Sequence, residues 1–330
     1  MRKENETFYR QDGTRFCMLK TTNITLIHLI ENKPKEVYEE NLLVYVESAK
    51  RSNINYFDKF AQINFVRPTE KYDISDRVKD EIKSINAKYQ TTTFKEVQKH
   101  DQQNFTLIPQ FCYQSSQSID TEYLLWHDLD VMILSDDVFD FGETDKIITN
   151  IVEIPKSNKS KDEILHDIET NNSFQELFGD IYEHLIEKHL PKKYRVGKLT
   201  HYMNTWIIYG SKHNEFWKEW IDLTEMIVRV IQDKFPELIE CELESISEEL
   251  AGSILYSENA DRFENLNTNY YALGDEAYTD KTRVIHYEEF YYCNNIRPMI
   301  GKILHDLKIT KDLVRKKNIS AKDMVDFSKL

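Results

Sequence analysis

Residues 122–134, E-Y-L-L-W-H-D-L-D-V-M-I-L, run an apolar segment straight into two carboxylates. Tyr123, Leu124, Leu125 and Trp126 have the length and composition of a buried strand, and Asp128 and Asp130 follow at once. Two Asp side chains at i and i+2 cannot both be desolvated without a partner, because each buried carboxylate would cost several kcal/mol. Either they share a divalent cation, or they stand solvated on a turn between two strands. Oxygen ligands in so compact a pair suit Mg²⁺ or Mn²⁺, which commonly complete their shells with substrate phosphates.

The rest of the chain narrows the choice. At 330 residues, with 40% apolar residues, 19 Tyr and 17 Phe, it is long enough for one large α/β domain or two small ones, and it is globular despite 30% charge. Only 8 Gly and 7 Pro are present, and neither GxGxxG nor GxxxxGK occurs, so a phosphate grip has to come from a metal, side chains or helix N-termini. The net charge of −14 disfavours nucleic acid and anionic membrane surfaces as partners. Cys17, Cys112, Cys241 and Cys293 lie far apart with no CxxC pair, which predicts reduced thiols and a cytoplasmic protein. No apolar leader follows Met1 and no run long enough for a membrane span occurs, so neither is expected.

In chain order, residues 1–15 are polar and are expected to be loose. Strands are predicted at 24–30 and 62–66, with helices at 36–50 and 75–87, the alternation of a parallel βαβ sheet. Residues 105–113 are ambiguous around Pro109, and Ser115 to Ser118 read as a polar break. A strand at 146–154 is followed by a helical stretch at 164–190 that is expected to break near Gly179. Residues 203–209 read as a strand, 215–235 as an amphipathic helix, 251–256 as helical, and 283–286 as a short strand. His184 and His189, five apart, fall on different helix faces and read as surface histidines. Residues 299–330 carry eight basic against four acidic residues, with Ser320 and Asp323 spaced as a capping box. They read as a helical appendage to a domain spanning 16–298.

Y-L-L-W-H-D-L-D-V-M-I-L resembles the DxD motif of GT-A glycosyltransferases, of the family 8 type, with His127 standing where that motif more often has an apolar or small residue. The resemblance implies a Rossmann-like GT-A fold, with a mixed, mostly parallel central sheet. It implies a metal-dependent transferase that uses a UDP- or GDP-sugar and an acceptor the sequence does not name. Asp128 and Asp130 would hold Mn²⁺ or Mg²⁺, with Asp128 also in reach of the nucleotide, and a late His, here His286, would be a third ligand. Asn204 and Thr205 would face the donor sugar, and Glu248 or Glu249 would be the carboxylate base of an inverting enzyme.

Each of these has a plainer alternative. Asn204 and Thr205 satisfy local backbone at a strand head, Glu248 and Glu249 form a solvated acidic face, and His286 is a half-buried core or acceptor-contacting histidine. Two further function classes also remain. A metal-dependent phosphohydrolase shares the strand-then-DxD pattern, and a non-enzymatic interaction protein could keep a transferase-like fold.

Overall fold

The computed structural model describes residues 7–9, 15–17, 23–30, 36–52, 56–67, 73–91, 107–135, 139, 141–155, 157, 159–170, 174–236, 246–266, 271–273 and 282–286. Its elements in order are β1 (Thr7–Tyr9), β2 (Arg15–Cys17), β3 (Ile24–Leu29), α1 (Glu36–Ser52), β4 (Gln62–Arg67), α2 (Asp76–Ser84) and β5 (Lys88–Thr91). Then come α3 (Leu107–Ser118), β6 (Tyr123–His127), β7 (Val131–Ile133), β8 (Ile147–Glu153), α4 (Lys161–Glu169), α5 (Phe174–Ile181) and β9 (His201–Ser211). The last are α6 (Phe216–Lys234), α7 (Ser247–Glu258), β10 (Phe263–Asn265), β11 (Tyr271–Leu273) and β12 (Val284–His286). Two compact units are defined by their backbone contacts: Met1–Thr92, His127–Glu143 and Asn267–Leu330 in the first, Thr93–Trp126 and Thr144–Leu266 in the second.

The observed class is the expected one, α/β with mixed, mostly parallel strand pairing. The first unit supplies β3-β4-β5, parallel throughout, and the second supplies β10-β8-β9-β6, in which β10 and β8 are parallel and β8 and β9 antiparallel. Every residue of β3 is buried, the pattern of a strand covered on both faces.

In the first unit a separate three-stranded sheet, β11-β12-β7, joins parallel and antiparallel pairs. Ser48 of α1 fastens β7 from the side: its Oγ accepts from Ile133 N at 3.1 Å and donates to Tyr45 O at 2.9 Å. Ser75 caps α2, its side chain accepting from Val78 N.

In the second unit α6 buries Phe216, Trp217, Trp220, Leu223, Ile227 and Ile231, three and four residues apart, as its amphipathic sequence requires. Helix α7 lies hard against β9. A Cβ on Gly252 would meet the end of the Met203 side chain and stand 3.3 Å from its Cβ, so a larger residue there needs Met203 to shift.

Several expectations are corrected. The polar N-terminal stretch contains an antiparallel pair, β1 with β2, built on the short T-F-Y and R-F-C runs. Strand β5 follows α2 where no strand was expected, because K-Y-Q-T lacks an apolar run and is largely exposed at the sheet edge. Residues 107–118 form one helix. Pro109 lies in its first turn, where no intrahelical donor is missing, and Ser116 and Ser118 donate back to the carbonyls of Tyr113 and Ser115 instead of breaking it. Gly179 itself lies inside α5, and the α-helical form ends just after it, at Ile181, where a π-helical turn over Tyr182–Ile186 takes over; a Cβ on Gly179 would stand 3.3 Å from Leu199 O. Residues 263–265, F-E-N, lack an apolar run and form β10 by pairing with β8.

Cys112 is a buried thiol, raised by desolvation well above the usual thiol range; the other three cysteine side chains lie outside the described residues. So do residues 299–330, where the helical appendage was expected. Among the described residues no helix is long and apolar enough to cross a membrane.

Candidate metal centre

Strand β6 ends at His127, the turn Asp128–Asp130 follows, and β7 begins at Val131. Leu129, between the two carboxylates, is buried and anchors the turn. Asp128 and Asp130 on either side of it stay part-exposed.

Strand β12 pairs antiparallel with β7, setting Val284 opposite Ile133 and His286 opposite Val131, and Leu134 N donates to Arg283 O at 2.8 Å. This register carries the imidazole to the turn. His286 Nε2 lies 3.1 Å from Asp130 Oδ1 and 3.4 Å from Asp128 Oδ2. The three side chains each offer a ligand atom, all within 4.8 Å of one another. Side-chain exposure is 5% for His286, 34% for Asp128 and 23% for Asp130, so the imidazole forms the wall and the carboxylates the open face.

These spacings fit a divalent cation. Donors about 2.1 Å from a common octahedral centre stand about 3 Å apart when adjacent and about 4.2 Å apart when opposite. Two hard oxygens and one borderline nitrogen suit Mn²⁺ or Mg²⁺. In the metal-free protein the group is an ion pair instead. Burial pulls the His286 imidazole down, but the carboxylates of Asp130 and Asp128 outweigh it and lift it to about 10.

Beneath the turn lie two buried histidines. His28 Nδ1 donates to the carbonyl of His127 at 3.2 Å, and His127 Nδ1 donates to the carbonyl of Asp128 at 2.7 Å. A carbonyl can only accept, so both rings carry their proton on Nδ1. Burial holds both below the usual histidine range, His127 at about 4, and keeps them neutral. His28 stacks on Phe65 and His127 on Phe139, at 4.9 and 5.1 Å between ring centres. The turn is thus fastened through its carbonyls to a rigid aromatic layer. His28 was missed in the sequence, although a histidine inside I-T-L-I-H-L was itself a signal: a polar ring in a fully buried strand needs a fixed partner.

The remaining expected residues belong to the second unit. Asn204 and Thr205 sit at an irregularity of β9, where the register steps from Thr149 opposite Ile208 to Asn150 opposite Asn204. Asn204 Oδ1 accepts from Trp206 N at 3.3 Å, and Thr149 Oγ1 donates to Asn204 O and Ile207 O. Glu248 and Glu249 lie in the first turn of α7, where a carboxylate favours the helix N-terminus. Glu248 is buried and its carbonyl accepts from Trp220 Nε1 at 2.8 Å, so it is no part of a solvated face. His184 and His189 are partly exposed. Asp136, Asp137 and Asp140, which follow the turn in sequence, and Tyr287 and Glu288, which follow His286, lie outside the described residues.

No protein-family model and no curated protein sequence matches the chain. Among solved structures it is similar to the crystal structure of galactosyltransferase LgtC in complex with donor and acceptor sugar analogs, with 11% identity and a TM-score of 0.44, covering 88% of this chain and 98% of that one. A likeness at that identity and score leaves function to the chemistry of the site.

Proposed function

We propose that the chain is a metal-dependent glycosyltransferase of the GT-A type, akin to family 8, that takes a sugar from a UDP- or GDP-sugar. One observation carries this: Asp128, Asp130 and His286, distant in sequence, converge with ligand atoms within 4.8 Å at the end of a core strand.

In this proposal Asp128, Asp130 and His286 hold Mn²⁺ or Mg²⁺, which when bound supplies Lewis-acid neutralisation of a diphosphate leaving group. The chain's own work is positional. His127 and His28 hold the turn carbonyls, so the carboxylates are set before the ligand arrives rather than ordered by it. His286 must give up its proton to act as a ligand, and the two carboxylates that retained it become its fellow ligands. Asn204 and Thr205 are proposed to meet the donor sugar, with the irregularity of β9 re-aiming them. Glu248 or Glu249 is the proposed base for an inverting reaction; a retaining one needs none.

The test is calorimetric titration of UDP and of GDP with Mn²⁺ and then with EDTA, in the wild type and in Asp130→Asn. Binding that needs both the cation and Asp130 is expected. Equal affinity in all conditions, or turnover of p-nitrophenyl phosphate without nucleotide binding, overturns the proposal in favour of another class.

A further inference from the structure

Phe139 follows β7 in the first unit with φ at +63°, in the left-handed region that a bulky side chain rarely enters. Among the described residues the other non-glycine there is Asn86, just past the end of α2, and asparagine adopts that backbone readily. A bulky residue stays in such a conformation only where its surroundings over-determine it, and residues of this kind gather at sites that must hold one geometry. Here the surroundings are aromatic. Phe139 is 2% exposed, and its ring stands 5.1 Å from that of His127 at an interplanar angle of 28°.

Among the described residues three rings meet His127, and they act on it differently. His28 and Tyr45 approach at 4.4 and 5.0 Å with interplanar angles of 73° and 75°, edge to face, and block translation of the imidazole. Phe139 alone lies nearly parallel to it. The terminal torsion of a histidine has broad wells, so its ring plane is set by packing rather than by intrinsic preference. The Nδ1–H bond lies in that plane, and it is the group that donates to Asp128 O at 2.7 Å. A tilted ring would bend this bond and release the start of the turn, moving Asp128 relative to His286.

From the left-handed backbone of Phe139 and its ring laid flat on His127, we infer that Phe139 is a positioning residue: it fixes the plane of the imidazole and, through the bond to Asp128 O, the turn that carries Asp128 and Asp130. Its effect on a ligand rests on the reading that this turn holds a divalent cation. Phe139 touches neither the cation nor its ligands in this scheme. The strained backbone is what it takes to bring the ring back over His127 after the chain has left through β7.

The test uses the full chain as wild type, Phe139→Leu and Phe139→Gly, at a temperature well below each melt. Leucine keeps an apolar side chain without a flat ring, and glycine takes the left-handed backbone freely but has no ring. Calorimetric Mn²⁺ titration is expected to show affinity about tenfold lower in both variants, the scale of outer-shell changes. In the metal-free chain, ¹⁵N-edited NMR of the His127 imidazole N–H should show a shifted, faster-exchanging proton in both. In a His127→Phe background no Nδ1–H remains to be aimed, so Phe139→Leu should cost little further Mn²⁺ affinity. A merely structural role would lower the melting temperature and leave the N–H signal and the affinity of the folded chain unmoved; that result, wild-type affinity in Phe139→Gly, or fully additive losses in the double variant overturns the inference. Should Phe139→Gly fail to fold, Phe139→Leu decides. A wild-type chain that binds no Mn²⁺ would overturn the cation reading instead, and the metal-free N–H signal would still decide whether Phe139 holds His127.

Discussion

His286 Nε2 stands 3.1 Å from Asp130 Oδ1 across 156 residues of sequence. The contact depends on register: because β12 sets His286 opposite Val131, a slip of one residue would turn the imidazole to the other face. Nothing in that pairing is local. The site therefore reports on the integrity of the small three-stranded sheet as much as on its own ligands.

Removing either ligand type should separate binding from folding. Asp130→Asn and His286→Ala are expected to lower Mn²⁺-dependent nucleotide affinity by about tenfold or more each. They should not weaken it additively, because both act on one cation. Calorimetry on the two single variants and the double variant checks this. An Asp130→Asn protein with wild-type metal affinity would remove the carboxylate from the ligand set.

Ser48→Ala tests the fastening of β7. The buried Oγ accepts from Ile133 N and donates to Tyr45 O, so its loss leaves a buried backbone donor unsatisfied. A destabilisation of about 1–3 kcal/mol is expected in urea unfolding, with unchanged m-value. Metal affinity should fall as well, because Val131 to Ile133 carry the turn. A Ser48→Ala protein as stable as the wild type would mean that another group satisfies Ile133 N.

His127 should act on the metal without touching it. His127→Phe preserves the stack on Phe139 and removes the Nδ1 donor to Asp128 O. Mn²⁺ affinity is expected to drop about tenfold, in the range of outer-shell substitutions. His127→Asn, which keeps a donor near that position, should recover part of the loss. If Phe and Asn variants bind equally well, the hydrogen bond does not position the turn.

The buried strand running into Asp128 and Asp130 was legible because its signals are local: an apolar run, a carboxylate pair, a second apolar run. So were β3, α1, β4 and α6, whose apolar spacing matches their period. The sequence was ambiguous wherever side-chain bonds overrode composition. Ser116 and Ser118 suggested a break, yet they bond to carbonyls of their own helix. Gly179 lies within α5 against the Leu199 carbonyl, and the irregularity it signals comes just after it, at the π-helical turn over Tyr182–Ile186. The buried polar histidines were the hardest to read, since the partners of His28 and His127 are carbonyls that no residue type announces.

The last prediction concerns protons. In metal-free protein the carboxylates of Asp130 and Asp128, working against burial, lift His286 to about 10, above the value of about 6.5 for an unfolded chain. A group whose folded pKa is raised stabilises the fold fully below its unfolded pKa and loses that contribution as pH climbs through the folded one. With EDTA present, the melting temperature should therefore contain a component that falls between about pH 7 and about pH 10. Metal binding has the opposite slope, because the cation must displace that same proton, and affinity for Mg²⁺ should rise by up to about tenfold per pH unit over the same window. The stabilisation gained from Mg²⁺ should accordingly be larger near pH 9 than near pH 7. His286→Gln cannot hold the proton, so both slopes should flatten in that variant. Thermal melts with EDTA and with Mg²⁺ across this range, paired with calorimetry in buffers of different ionisation enthalpy, measure both. A wild-type Mg²⁺ affinity that does not change with pH would mean that no proton leaves on binding and that His286 is not a ligand.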